Sequence, residues 1–509
     1  MTQQDHPLRK KNIAACVCTV IGNLMLFLTV WLHFTYDDVR LDQILYQIQT
    51  PAAGTQRDLT LSMILCILCS LIFSSIEILI FLYYSARLPM KYYKTSQKYT
   101  KIQENKWCAR IRKYDFAFGL SAICLALCLF LTKMNIFSFA GAFFTESDFI
   151  RRNYANPNNT KLDFPEEKRN LIYIFLESME NTYADTSAGE PITADYIPEL
   201  TQLANDNISF SNGLNTGGAY VYSGSTWTAA AMVTQTSGMI IKVPLTSEAY
   251  NGENEYMPGI VSIGELLERK GYTQTLLLGS DAAFASRDSY FTEHGNYHIV
   301  DINSLKEEGR LPEDYREWWG YEDQKLFAFA KEEILKLADS GKPFNFTMLT
   351  ADTHFPDGYL CPLCDDTYEE QYPNVLACSS KQIAEFIAWI QEQDFYENTT
   401  IVLSGDHLTM DPSFLNGIEE NYTRTTYNCF INSAVEPILE KNREFGTFDM
   451  FPTTLAAMGI EIEGNRLGLG TNLFSAQVTL TEQYGYDLLN EELQKHSQYY
   501  DRNFLYLYE

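Results

Sequence analysis

The sequence predicts a mostly parallel α/β sheet flanked by helices on both faces, preceded by an all-α membrane region. Three observations carry that prediction. Apolar stretches of membrane-spanning length crowd into the first 140 residues. Beyond them, short apolar runs (residues 171–176, 344–349 and 401–403) alternate with segments of helical period, such as Ile383, Phe386, Ile387 and Ile390. Each run then meets acidic or imidazole side chains, as at the edge of an open α/β sheet where ligands bind.

Taken in order, the spans are residues 13–34, 59–84 and 116–139 of a membrane region covering 1–145. The first is long and two more follow, so it reads as an anchor rather than a cleaved leader. Arg9, Lys10 and Lys11 precede the first span, and nine Lys and Arg from Arg87 to Lys113 fill the loop before the third. The loop between the first two holds only Arg40 and Arg57, beside Asp37, Asp38, Asp42 and Asp58. The positive-inside rule then makes the chain multi-pass, with the N-terminus and the basic loop cytoplasmic and everything after about residue 140 outside. Tyr92, Tyr93 and Tyr99 suit interface anchoring. Glu77 and Lys133 lie inside spans toward opposite faces, and Lys133 can snorkel outward.

Residues 146–167 contain Asn153, Asn156, Pro157, Asn158, Asn159 and Pro165 and read as a linker. The sheet domain is expected over 168–475, and a helix with an aromatic tail over 476–509. Residues 1–150 carry 15 Lys and Arg against 10 Asp and Glu, and the remainder 23 against 55. So acidic a domain argues against nucleic acid as a partner, because phosphate backbones are bound by Lys and Arg.

The strand ends hold the candidate chemistry. Asp406 and His407 follow the run 401–403 and the break Ser404-Gly405, and an adjacent carboxylate and imidazole can ligate a divalent metal. Glu177 ends the run 171–176, where a helix-start carboxylate is the plainer role. The third run leads into Asp352 and His354. Residues 217–237 are rich in Gly, Ser and Thr and turn helical at Ala229. Thr228 stands where that helix should begin, and a helix N-terminus attracts phosphate. A hydroxyl held against a divalent cation can attack phosphorus. Locally Ser223, Ser225, Thr226 and Thr228 are interchangeable, and an N-cap is the ordinary alternative.

Seven of eleven cysteines fall in the membrane region or its basic loop, where they act as small apolar residues. Cys361, Cys364, Cys378 and Cys429 lie beyond it and allow three full disulfide connectivities. Cys361-Pro362-Leu363-Cys364 is also half a zinc knuckle, though no second Cys or His pair follows, and Cys429 reads as a buried thiol.

Five pieces in order carry a resemblance: residues 170–179 (NLIYIFLESM), Trp227-Thr228, 352–358 (DTHFPDG), 404–407 (SGDH) and 466–470 (RLGLG). The chain resembles the membrane-bound phosphoglycerol transferases of the alkaline-phosphatase/sulfatase superfamily. These modify periplasmic glucans and, more distantly, include the lipoteichoic acid synthases. The resemblance implies an alkaline-phosphatase/sulfatase-like fold in a bacterial cell membrane, with Thr228 as nucleophile. It implies one divalent ion (Mn²⁺, Mg²⁺ or Zn²⁺) on Glu177, Thr228, Asp406 and His407, with His354 near the phosphoryl group. Phosphoglycerol would pass from a phosphatidylglycerol-type lipid donor to Thr228, and then to an envelope glycan or glycolipid acceptor. Phe284-Ala285-Ser286-Arg287-Asp288 is similar to a lipoteichoic acid synthase segment in which an aromatic and an arginine flank glycerol phosphate. Arg287 matches the arginine, suited to bidentate phosphate contact. Ala285 replaces the aromatic, which leaves Trp318 or Trp319 to fill that space or simply to pack. The resemblance also implies a Cys364–Cys378 disulfide.

Three rivals remain. A sulfatase-like hydrolase needs a C/S-x-P-x-R context near the helix start, and Thr228 has none. A phosphoethanolamine transferase shares the threonine and the spans. A catalytically degenerate membrane-tethered binding or sensing protein belongs to another class, and the full set of metal-site residues argues against it.

Overall fold

The computed structural model describes residues 6–36, 40–51, 53–55, 57–90, 120–121, 123–244, 249–250 and 254–506. Three helices open the chain: α1 (His6–Thr35), α2 (Leu41–Gln49) and α3 (Arg57–Met90). Contacts divide the molecule into two compact units, Met1–Val39 with Gln56–Ser138, and Arg40–Thr55 with Phe139–Glu509. Thus α1 and α3 share the first unit, and α2 belongs to the second.

In the first unit, Cys16–Thr35 and Leu59–Ile80 are long and apolar enough to cross a membrane. Ile123–Lys133 and Ile136–Phe143 would make a third span if counted together, bent by 62°. Polar groups of α1 and α3 meet where Asn23 Nδ2 donates to Glu77 Oε2 at 2.7 Å and to Ser74 Oγ at 3.1 Å. The basic segment 91–113, with Tyr92, Tyr93 and Tyr99, and the expected start of the third span lie outside the described residues.

The second unit is built on a six-stranded sheet: β1 (Asn170–Leu176), β2 (Thr273–Leu278), β3 (His298–Val300), β4 (Phe344–Leu349), β5 (Thr399–Gly405) and β6 (Asn428–Ile431). Its spatial order is β3-β2-β4-β1-β5-β6, parallel throughout except for β6. Alternation along β1 sends Leu171, Tyr173 and Phe175 into one core and Ile172, Ile174 and Leu176 into the other. Burial on both faces is why the strands read as unbroken apolar runs. The first core also holds Met232 and Val233 of α4 (Thr228–Ser237). The second holds Leu326, Ala330 and Ile334 of α5 (Asp323–Asp339), with Ile383, Phe386, Ile387 and Ile390 of α6 (Gln371–Gln391).

Two expectations change. Residues 146–167 are not a free linker: Phe149 and Ile150 are buried in the first core, and Leu162–Asp163 pairs with Glu461–Ile462. The Asn and Pro that suggest a tether instead form turns between these anchors, as where Asn159 N donates to Asn156 O. The C-terminal stretch, expected as one helix with an aromatic tail, is several short helices, and Leu480, Leu489, Leu493, Tyr500 and Phe504 complete the same core.

Candidate active site

β1 and β5 are parallel neighbours, with Leu176 opposite Gly405 in the register, so Glu177 and Asp406 leave the sheet side by side. Gly405 has to be glycine, because a Cβ there would stand 1.9 Å from Met179 O. Asp406 Oδ1 accepts the backbone N–H groups of Ser178 and His407, both at 2.7 Å. Its Oδ2 is buried with no hydrogen-bond partner. His407 Nδ1 sits 2.8 Å from Leu408 O. A carbonyl only accepts, so Nδ1 carries the hydrogen and Nε2 presents its lone pair. That Nε2 lies 3.6 Å from both Glu177 Oε1 and Asp406 Oδ2.

Trp227, not Thr228, occupies the N-cap of α4, without a side-chain cap bond. Thr228 is thereby free for other contacts, and its Oγ1 lies 3.2 Å from Glu177 Oε2 and 3.2 Å from His407 Nε2. The neighbouring hydroxyls go elsewhere: Ser223 donates to Asn490 Oδ1 and Ser225 to Tyr222 O, and Thr226 Oγ1 is buried with no partner. Only Thr228, of the four that were interchangeable by local sequence, reaches the carboxylates and the imidazole.

The cluster is almost fully buried, and its charges oppose one another. Burial first, then the charge of Glu177, pushes Asp406 up to about 8. Glu177 is held below the usual carboxylate range: burial works against it, but the facing His354 and His407 prevail. His407 is raised, Asp406 and Glu177 overcoming the effect of burial. Glu177, Asp406 and His407 each offer a ligand atom, all within 4.8 Å of one another. The orphaned Asp406 Oδ2, the outward Nε2 and two carboxylates in competition suit a divalent cation, with Thr228 Oγ1 beside it.

The other expected residues extend the site along the sheet edge. His354 follows β4 and Arg287 lies in the connection after β2, so the sheet order sets Arg287, His354, Glu177 and Asp406 in a row. His354 gives Nδ1–H to Phe355 O at 2.7 Å, and burial lowers it toward the neutral imidazole. Arg287 is buried and bonded to Phe284 O, Ser280 Oγ and Asp281 O. Burial lowers it to about 10, so it keeps its charge at neutral pH. Trp319 packs 4.5 Å from the His354 ring and 5.5 Å from Phe284, while Trp318 turns away to donate to Ala351 O.

Several supports escape sequence reasoning. Gln235 of α4 donates to Gly405 O and Asp406 O, and is fixed in turn by Tyr173. Buried Glu180 accepts Nε–H and Nη2–H from one edge of the Arg424 guanidinium and the Thr409 N–H, bracing the loop after His407. Gln43 of α2 donates to Thr226 O, and Tyr46 to Ala285 O. An acidic residue at the start of a turn, and amphipathic spacing in 41–49, were the only signals available.

Cys364 and Cys378 do not stand as an isolated pair. Cys361 Sγ lies between them, 3.7 Å from each. Cys429 is a buried thiol donating to Leu203 O.

A sulfatase family profile matches residues 169–460. Phosphoglycerol transferase I of Citrobacter koseri is 30% identical over 337 residues, covering 64% of this chain and 41% of that protein. The chain therefore spans well under half the length of the curated relatives it matches. Among solved structures, a protein in the alkaline phosphatase superfamily from Vibrio parahaemolyticus is 17% identical at a TM-score of 0.47, over 64% of this chain and 76% of its own. The lipoteichoic acid synthase LtaP from Listeria monocytogenes is 18% identical at 0.45, over 64% and 80%.

Proposed function

The chain belongs to the sulfatase family, and from that premise we propose that it transfers a phosphoglycerol group from a phosphatidylglycerol-type lipid to an envelope glycan or glycolipid through Thr228. The observation that carries this reading is the placement of the Thr228 hydroxyl at the start of α4, 3.2 Å from both Glu177 and His407. The name of the 30%-identical relatives supports the choice of group.

Glu177, Asp406, His407 and Thr228 would hold one divalent cation, which when bound acidifies the hydroxyl and offsets phosphoryl charge. Thr228 Oγ1 attacks phosphorus as the lipid alkoxide departs with a proton, leaving diacylglycerol and a phosphothreonine diester. The free N–H groups at the start of α4 and the charged Arg287 face the anionic oxygens. His354, with Nδ1–H committed to Phe355 O, keeps a lone pair on Nε2 and takes the proton of the acceptor hydroxyl as that oxygen displaces Thr228. Trp319, packed at a tilt of 56° against His354, holds the ring and excludes water from the competing hydrolysis.

The Lys and Arg before the first span and in the loop before the third support a cytoplasmic N-terminus with the sheet domain outside the cell membrane. Incubating the full-length protein with phosphatidylglycerol and no acceptor tests the reading. Mass spectrometry should find a phosphoglycerol adduct on the peptide bearing Thr228, with diacylglycerol released. Phosphate acceptance from phosphatidylethanolamine instead would assign the other headgroup, and steady hydrolysis with no adduct would refute the covalent route.

A further inference from the structure

We propose that Cys361, Cys364 and Cys378 form a second metal centre, a three-thiolate site for Zn²⁺ that staples the His354 loop to α6. It is independent of the substrate and stands whatever group the enzyme transfers.

The geometry comes first. Cys361 Sγ is 3.7 Å from Cys364 Sγ and 3.7 Å from Cys378 Sγ, and all three sulfurs lie within 4.8 Å of one another. A tetrahedral zinc with bonds of about 2.3 Å has sulfur–sulfur edges of about 3.8 Å. A disulfide pairs two sulfurs at about 2.05 Å and leaves the third aside. Here one sulfur serves two neighbours equally, which is the arrangement of ligands around a shared centre.

The surroundings agree. Cys361 and Cys364 are the two ends of a tight turn in which Cys364 N donates to Cys361 O at 3.0 Å. Gln382, one turn along α6 from Cys378, brings Nε2 to 3.4 Å from Cys378 Sγ and 3.8 Å from Cys361 Sγ. N–H donors gathered on sulfur stabilise thiolates, as outer-shell partners do in metal sites. Cys361 and Cys378 are buried, while Cys364 is half-buried, so the fourth position opens on the Cys364 side, where water completes the shell.

Sequence reading stops short of this because the third ligand is far along the chain. Cys378 lies in the first half of α6, and the fold returns it to the turn at 361–364. What the ion would do follows from where its ligands sit. The turn ends the loop that starts at Asp352 and carries His354, and α6 packs in the second core. Zinc would tie that loop to a rigid helix, a short distance from the catalytic imidazole.

The test uses the full-length protein in detergent, purified without reductant. Cysteine-containing peptides are alkylated in the native state, then after a chelator, then after denaturation with chelator. Zinc ligation predicts that the three thiols are protected natively, react once the chelator is present, and are all free without reductant. Replacement of zinc by Co²⁺ gives a second readout, a near-ultraviolet thiolate charge-transfer band. The Glu177, Asp406 and His407 cluster has no sulfur and cannot produce it. Cys361→Ser and Cys364→Ser should abolish the band and lower bound zinc by one per chain. A disulfide-linked peptide pair among the three, alkylation that is indifferent to chelator, or the absence of the cobalt band would each overturn the proposal. The alkylation arm needs no substitution, so it decides the matter even if the variants fold poorly.

Discussion

Tyr46, from the short helix between the first two apolar helices, donates its hydroxyl to Ala285 O at 2.8 Å, two residues before Arg287. The same hydroxyl meets Tyr256 at 2.9 Å, and the ring lies 5.2 Å from both Trp227 and Tyr250. One fully buried side chain thus touches both the entry to α4 and the segment that presents the guanidinium. Tyr46→Phe should cost about 1 kcal/mol, the net worth of its hydrogen bonding. Tyr46→Ala should cost about 3–5 kcal/mol as a large-to-small core change. Thermal unfolding measures both, and KM should rise in each before kcat falls. A chain truncated to begin after the third helix loses this contact altogether and should unfold earlier than the full-length protein.

Thr228→Ala should reduce transfer by at least about 10³-fold, the scale expected for losing a nucleophile. Stability should change by only about 1 kcal/mol, because no capping bond is lost and the hydroxyl's contacts with Glu177 and His407 are all that go. Thr228→Ser should keep measurable activity and still accept the phosphoglycerol adduct. Circular dichroism with lipid-release assays separates the effects.

Metal removal should destabilise the protein above about pH 8, where Asp406 ionises and is left facing the Glu177 carboxylate. Asp406→Asn removes that repulsion. In chelator its melting temperature should equal or exceed that of the wild type, whereas with saturating divalent metal the wild type should gain more. Activity should be lost in the variant under both conditions.

Asp323 and Asp352 share a second acidic pocket beneath the His354 loop. Asp323 accepts the N–H groups of Ala351 and Asp352, and its own N–H donates to Asp352 Oδ1. Burial first raises both: Asp323 to about 7, helped by the charges of Cys361 and Glu177, and Asp352 to about 10, helped by the charge of Asp323. Carboxyls with raised folded pKa values bind more protons folded than unfolded, so their contribution is complete below about pH 4 and is lost as pH climbs. Stability should therefore decline from about pH 4 up to about pH 10, as the pH rises through the two folded values. Asp352→Asn, which mimics the protonated form, should flatten that slope, as denaturant melts across the range will show.

Some of this was legible beforehand, for a physical reason. Strands buried on two faces must be continuously apolar, so the first polar residues after them, Glu177 and Asp406, announce where the chain leaves the core. The flanking helices declared themselves by period, as at Ile383 to Ile390. Thr228 could not be separated from Ser223, Ser225 and Thr226 by local sequence, because what distinguishes it is a distance to residues 51 and 179 positions away. Residues 146–167 misled because turn-forming Asn and Pro say nothing about Phe149 and Ile150 docking between them. The role of α2 was hidden by its position between apolar helices, where composition reports only topology.

The order of residues along the sheet edge bears on how such an enzyme diversifies. Glu177 and Asp406 hang from adjacent strands whose spacing is set by the backbone ladder, whereas Arg287 and His354 are reached through longer connections after β2 and β4. Insertions and replacements in those connections can change what surrounds the site without shifting the two carboxylates. A lineage can therefore explore new acceptors by exchanging loops while inheriting its reactive centre unaltered.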